Sequence, residues 1–387
     1  GTFIYWSSII LTIAVISAIA CFAGFVVQAI INNFLPLLFI ISLGYIFQNR
    51  KSINIVNFQS IFFAFLPGWI VKTLGCKVCY TIHSLAEDNP KHSGMIKLIM
   101  KATAFVSIWL CGKKILTVSN SKAKEIKTRY GKDCSVIPCG VQLPCQNTES
   151  DITKRFNIKH GYYYLTIGRI DPIKNLDILT QAFIKHNNPD YQLIIAGDYN
   201  NPHGKYLRDI ASPNKNIIFV GSVMGADKDY LLKNCFANCL VSSSEGMPIS
   251  LLEAMVYGKH CIVSDIPSIH EVMQDDWGCW CNVRDIDSLA EQMAYAEKNH
   301  ETIDQHSQTI ADAIAEHYTW NIVAKKYINY KQTTKISNLK IGETVSILGY
   351  IKNTYFILRT HTGCIEAQGF AFSHSIRRGV AGAVCPI

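Results

Sequence analysis

The sequence predicts an α/β chain built from two parallel-sheet halves. Three observations predict it. Short apolar runs alternate with longer helical patterns from residue 52 to about 331. The runs are continuous rather than apolar–polar, as in strands buried on both faces. A polar interval at 146–154 interrupts the alternation, which then restarts, so the 387 residues divide into two cores of ordinary size.

In the first half, strands are expected at 54–58 and 77–82, flanking the segment 61–74. A strand at 114–118 is closed by Ser119-Asn120-Ser121, which can cap a helix at 122–130. A short strand at 135–138 ends at the turn Cys139-Gly140-Val141. In the second half, strands are expected at 162–167, 192–196, 217–220, 237–242 and 261–264. Helices are expected at 175–186, 227–234 and 249–257, followed by one long helical stretch at 287–330. The tail, 332–387, has β character: 344–351 and 355–359 are expected as strands joined by a turn at Asn353. It is too short for the five strands of an OB barrel, and it is given no role.

Residues 1–49 contain no Asp, Glu, Lys or Arg; Arg50 and Lys51 are the first charges. Two apolar blocks, 9–31 and 35–47, lie there. The first is long enough to cross a bilayer as a helix. The second contains Pro36 and Gly44, which suits a re-entrant or interfacial helix as well as a span. Two buried core helices are the competing reading. Arg50 and Lys51 favour a cytoplasmic position for the residues after them, and the missing basic start argues against a cleaved signal.

The fourteen cysteines are irregularly spaced in a large chain, which speaks against a disulfide framework. Cys76-Lys-Val-Cys79 runs into a strand and has no second pair at zinc-site spacing, so buried free thiols are expected and no metal site. The formal charge of +8 is concentrated: from Lys91 to Lys132 there are ten Lys/Arg and one acid, Glu125. A solvated helical face, an anionic membrane surface and phosphate-bearing substrates all fit that stretch. No aromatic-interleaved RNA motif or DNA-reading helix pattern accompanies it, so nucleic acid is not expected. No Gly-x-Gly-x-x-Gly follows a strand and no phosphate-loop lysine motif is present, which disfavours a dinucleotide oxidoreductase.

Two constellations carry chemistry. In the first, Ser242-Ser243-Ser244-Glu245-Gly246-Met247-Pro248 leads from a strand into a helix bearing Glu253. Gly246 allows close backbone approach to a ligand, Pro248 suits the first helical turn, and the helix start offers N–H groups to an anion. In the second, Gly168-Arg169-Ile170-Asp171-Pro172-Ile173-Lys174-Asn175 places two cations five residues apart after a strand. A guanidinium fork and an ammonium there suit a diphosphate.

Together, in this order and spacing, these motifs resemble the GT-B glycosyltransferases of family 4. Glu245 and Glu253 match the family's Glu-x7-Glu motif, and Gly168, Arg169 and Lys174 match its Gly-Arg…Lys motif. The likeness extends to Ile82-His83-Ser84, Val118-Ser119-Asn120-Ser121, Val136-Ile137-Pro138-Cys139-Gly140-Val141 and Tyr318-Thr319-Trp320, covering about 52–331. The resemblance implies two Rossmann-like domains facing a cleft: an acceptor-side domain at 50–150, and a nucleotide-sugar donor domain at 151–331 that ends in a helix crossing back to the first. The family's first strand and Gly-rich loop are not found; the uncharged segment stands in their place, and Gly1 is not an initiating Met. An incomplete N-terminal domain preceded by apolar helices is therefore expected.

By that resemblance the chain would be a retaining enzyme moving a hexose from a UDP- or GDP-sugar to a glycan or lipid-linked acceptor in cell-surface polysaccharide synthesis. It would work at the cytoplasmic face of a membrane, peripherally or anchored by residues 1–49. Arg169 and Lys174 would bind the diphosphate, and Glu253 the ribose hydroxyls. Glu245 would contact the transferred sugar, Gly246, Met247 and Pro248 would line the donor, and His83 would face the sugar from the first domain. No metal or other cofactor would be required, because the two cations supply the positive charge. The alternative is a membrane-attached nucleotide-sugar-binding protein without turnover.

Overall fold

The computed structural model describes Phe47 and residues 55–58, 65–85, 94–111, 115–144, 149–333, 347–351, 354–361 and 364–371. The expected apolar helices of residues 1–46 lie outside the described residues. Among the described residues no helix is long and apolar enough to cross a membrane.

In chain order the first half holds β1 (Ile55–Phe58), α1 (Phe65–Thr73), β2 (Lys77–Ile82), α2 (Gly94–Cys111), β3 (Ile115–Thr117), α3 (Asn120–Tyr130) and β4 (Ser135–Val136). The second opens with α4 (Ile152–Phe156), β5 (Tyr163–Ile167), α5 (Leu176–His186), β6 (Gln192–Ala196), α6 (Pro202–Ala211), β7 (Ile217–Gly221) and α7 (Ala226–Asn234). It continues through β8 (Ala237–Leu240), α8 (Ile249–Met255), β9 (Cys261–Ser264), α9 (Pro267–His270), β10 (Gly278–Cys281) and α10 (Ile286–Lys298). The helices α11 (His300–Asp304), α12 (Ser307–Tyr318) and α13 (Trp320–Thr333) come next, then β11 (Ile347–Ile351), β12 (Thr354–His361) and β13 (Cys364–Ala371).

The second sheet has the order β10-β9-β8-β5-β6-β7, and every pairing in it is parallel. Its central strand β5 sends Tyr163 and Leu165 into one core layer and Tyr164 into the other. That is why the strand reads as an unbroken apolar run: helices cover both faces. The first sheet has the order β13-β12-β11-β1-β2-β3-β4. Its strands β1 to β4 are parallel, whereas β11, β12 and β13 form an antiparallel meander whose first strand pairs parallel with β1, Phe58 opposite Leu348. The tail expected to hold two strands thus holds three, and they extend the first sheet.

Two other expectations change. The long stretch at 287–330 is four helices, because Asn299, the 305–306 turn and extended Thr319 interrupt it. The interval Gly278–Cys281, where no strand is expected, is β10. At the end of the run, α13 crosses back to the first sheet, where Val323 joins Cys79, Leu116 and Ile137 in one buried cluster. Thr319 bridges Val141, and a Cβ on Gly140 would sit 2.5 Å from the Trp320 ring, so only glycine lets α13 start there.

Candidate functional site

In the second sheet β6 and β7 lie on one side of β5, and β8, β9 and β10 on the other. Strand order reverses between β5 and β8, so the loops leaving their carboxyl ends diverge and open a crevice. Those two loops are the ones that carry the two sequence constellations.

Asn175 stitches the loops together. It is fully buried and left-handed at φ 50°. Its Nδ2 donates to the Val241 carbonyl and to Ser243 Oγ, both at 2.8 Å. The Ser243 amide donates to the Ile173 carbonyl at 2.9 Å. From β10's far side Arg284, also left-handed at φ 60°, donates from Nη1 to Asn175 Oδ1 at 3.2 Å. Buried amides so fully engaged fix the loops' relative position before any ligand arrives.

Within this frame Lys174 Nζ lies 2.6 Å from Glu245 Oε1, with only 18% and 11% of the two side chains exposed. The two motifs recognised separately in the sequence therefore meet in an ion pair. Arg169 stays 56% exposed and touches the buried Asp171 at 3.2 Å. It borders a cavity of ≈ 780 Å³ over the carboxyl ends of β5, β6 and β7, whose walls also include Asp171, Asp198, Asn201, His203 and Ser222. Glu253, on α8, is held by Lys228 of α7 at 2.8 Å. Each acid of the motif thus has its own ammonium, and the two acids are not partners of each other.

Pro248 and Gly246 depart from expectation. Pro248 is the capping residue rather than the first helical one: its carbonyl accepts from the amides of Leu251 and Leu252, and α8 begins at Ile249. Gly246 is needed for contact between the halves rather than for a ligand alone, since a Cβ there would lie 2.0 Å from the His83 carbonyl oxygen. That approach brings the end of β2 against the loop bearing Glu245. Met247 is half-buried and packs on the core of the second half.

His83 is part-buried, and desolvation of its ring lowers its pKa to about 4, so it is neutral at pH 7. Its Nδ1 lies 4.0 Å from Cys139 Sγ, and burial pushes that thiol up to about 12. The pair is neutral and hydrogen-bonding, not a thiolate–imidazolium couple. Two further histidines lie near the Glu245 loop in sequence: His260 is buried against Phe236, and His270 stacks on Trp280 at 4.0 Å. Cys76, Cys79, Cys134, Cys139, Cys235, Cys239, Cys261, Cys279 and Cys281 are thiols rather than disulfide partners, and no His/Cys/Asp/Glu group among the described residues could hold a metal ion.

Residues 148–313 match the family described as Glycosyl transferases group 1, and residues 25–143 match Glycosyltransferase Family 4. The chain belongs to the GT-B glycosyltransferases of family 4. Among curated relatives of this family, it is 30% identical to the Escherichia coli UDP-Gal:alpha-D-GlcNAc-diphosphoundecaprenol alpha-1,3-galactosyltransferase, over 55% of this chain and 58% of that one. It is 28% identical to the O-antigen chain mannosyltransferase RfbU of Salmonella typhimurium, over 50% and 53%. It is 25% identical to the phosphatidyl-myo-inositol mannosyltransferase of Mycobacterium leprae, over 58% and 60%. The chain thus spans less than two thirds of the length of these relatives. Among solved structures, Anabaena HepE in complex with UDP and glucose superposes with a TM-score of 0.64 at 14% identity, over 75% of this chain and 81% of that one. A Rickettsia africae glycosyltransferase superposes at 0.63 and 16% identity, over 78% and 83%. These likenesses show the GT-B fold.

Sequence reasoning missed Lys228, Arg284 and the bridging role of Asn175. Asn175 was visible as part of a motif, but its partners lie 66 and 68 residues away. Lys228 comes after Gly225 in a short polar helix, and nothing local marks it.

Proposed function

We propose that this family 4 glycosyltransferase is a retaining enzyme that moves a hexose from a UDP- or GDP-sugar to a glycan or lipid-linked acceptor in cell-surface polysaccharide synthesis. The observation that carries the reading is the Lys174–Glu245 pair at the switch point, with Arg169 beside the adjoining cavity. The nucleoside occupies that cavity, and Arg169 and Lys174 take the diphosphate. Lys174 then exchanges part of its contact with Glu245 for phosphate oxygen, which frees the Glu245 carboxylate for the sugar. Glu253 holds the ribose hydroxyls, with Lys228 fixing its rotamer. Gly246, Met247 and Pro248 line the donor, and neutral His83 faces the sugar across the seam.

In the transfer step the anomeric carbon–phosphate oxygen bond breaks and the acceptor oxygen bonds the same face of the sugar. The acceptor's proton passes to the departing phosphate oxygen, so the leaving group supplies the base. Arg169 and Lys174 stabilise the charge that develops there. No metal is needed in this scheme.

The same reading places the enzyme at the cytoplasmic face of an anionic membrane. Its support is α2, which is apolar on two sides. Met100, Ala104 and Ile108 are buried, while Met95, Leu98, Ile99, Phe105, Val106 and Trp109 form an outward stripe at helical spacing. Trp69 of α1 is exposed as well, and Lys97, Lys101 and Lys72 are exposed on the same two helices.

Calorimetric titration with UDP, GDP and ADP, followed by turnover with the matching sugars, tests the donor assignment. Specific binding of UDP or GDP with turnover is expected; binding without turnover would leave a nucleotide-sugar-binding protein. Co-sedimentation with vesicles tests the surface. Binding that rises with anionic lipid and drops in Leu98→Glu/Trp109→Glu is expected, and equal binding by the variant would remove α2 from the interface.

A further inference from the structure

We propose that Glu271 is a positioning residue that latches the two halves of the cleft together. This rests on the glycosyltransferase reading only for its consequence in turnover; the latch itself is a matter of geometry.

Glu271 directly succeeds α9 in the donor half. Both of its carboxylate oxygens cross to the first half, where Oε2 accepts from the Asn120 amide at 2.5 Å and Oε1 from the Ser121 amide at 2.6 Å. These amides begin α3. A helix start leaves four amides without intrahelical acceptors. Of these amides the local cap, Ser119 Oγ, reaches Lys122 alone, at a long 3.4 Å, while also lying 3.2 Å from Ser121 Oγ. The first turn of α3 contains no acid of its own. The carboxylate that the helix lacks therefore arrives from the other half of the molecule, at the positive end of the helix dipole and with two charge-assisted bonds.

The latch is itself anchored beside the crossover. The Glu271 carbonyl accepts from the Tyr318 hydroxyl at 3.2 Å, and the Tyr318 carbonyl accepts from the Val141 amide at 2.8 Å, just before the chain returns through Thr319 and Trp320. α3 comes after β3, and β3 is paired with β2, which ends next to His83. Fixing α3 to Glu271 therefore holds β2 where the His83 carbonyl meets Gly246. When the bond pair opens, Asn120 and Ser121 exchange their carboxylate acceptor for water and the halves lose two charge-assisted bonds. The distance between the first half and the donor loop thus depends in part on a side chain remote from the donor motifs, beside the crossover helix itself.

The test compares Glu271→Ala and Glu271→Gln with Ser119→Ala, which removes the local cap of the same helix without touching the seam. Small-angle X-ray scattering, UDP calorimetry and initial rates are read on each. The latch predicts a larger radius of gyration for Glu271→Ala, UDP affinity within about twofold of the parent, and kcat at saturating donor reduced about tenfold or more. Glu271→Gln, which keeps one acceptor oxygen, should fall between. Ser119→Ala should lower the melting temperature and leave scattering and kcat alone. If Glu271→Ala matches Ser119→Ala in all three readouts, the residue is only a cap and the proposal fails. Should the alanine variant not fold, the glutamine variant decides by the same comparison. Scattering and UDP binding are readable in a protein without turnover, so failure of the glycosyltransferase reading would be seen separately.

Discussion

The two sheets of this molecule are assembled in opposite ways. The second sheet, the proposed donor side, is self-contained: its six strands succeed one another from Tyr163 to Cys281, all parallel, with both sequence motifs on loops that leave neighbouring strands. The first sheet is a composite. It combines β1 to β4 with a meander drawn from residues 347–371, and it is covered in part by α13, which belongs to the run after the donor sheet. The difference teaches where function can be read locally. In the donor half a motif, its strand and its helix are adjacent in sequence, so a run of residues already encodes a site. In the first half the neighbours of each strand come from distant chain, and local patterns say little about what completes them.

The sharpest way to test the contrast is to strike the donor loops. Glu245→Gln should lower turnover about 10²-fold or more with little change in nucleotide affinity, on the scale of one lost transition-state contact. Initial rates beside calorimetry check this, and unchanged turnover would strip Glu245 of its role. Next in size is an acid effect. Burial lowers the pKa of His260 to about 4, from an ordinary 6.5. The unfolded chain therefore binds a proton between pH 6.5 and 4 that the fold refuses, so stability is full above that window and falls as pH drops through it. The loss by pH 5 is about 2 kcal/mol. Denaturant midpoints at pH 7 and 5 should show it, and His260→Phe should shrink the difference while leaving the share due to His83, whose pKa burial lowers in the same way.

Arg169→Ala should weaken UDP binding about tenfold, one charge-assisted contact's worth. Equal affinity would remove it from the diphosphate. The smallest effect should come from the composite half. Truncation after Thr333 deletes the meander, and a loss of about 1 kcal/mol would lower the melting of the first half by about 4–8 °C. The donor half should melt as before; a shift in both transitions would show that the sheets are not independent.

The donor sheet was legible because its strands are short β-rich runs bounded by Gly, Asn and Pro, and because Glu245 and Glu253 keep a recognisable interval. Tertiary partners were not legible. Glu253's counter-ion Lys228 is 25 residues away and Glu271's acceptor role spans 150. α2 escaped detection because it is apolar on two faces, which blurs the 3.6-residue pattern, and its lysines read only as a charge count. β10 was hidden by brevity, since Gly-Cys-Trp-Cys is too short for periodicity. Gly246 was noticed for the right freedom and assigned too narrow a use, because the backbone that crowds it comes from the other half.

The pairing of β1 with β11 also sets an order of events during synthesis. β1 leaves the ribosome well before its partner, since Leu348 is made 290 residues after Phe58. At about 5–20 residues per second that is on the order of 15–60 s. The donor sheet can close in that interval, since Cys281 is already translated. One flank of β1, meanwhile, keeps its backbone hydrogen-bonding groups unclaimed by the strand that will cover them, a state in which strands recruit foreign partners. Newborn chains of this protein should be most dependent on chaperones during that interval, and a ribosome stalled shortly before residue 347 should expose the vulnerability.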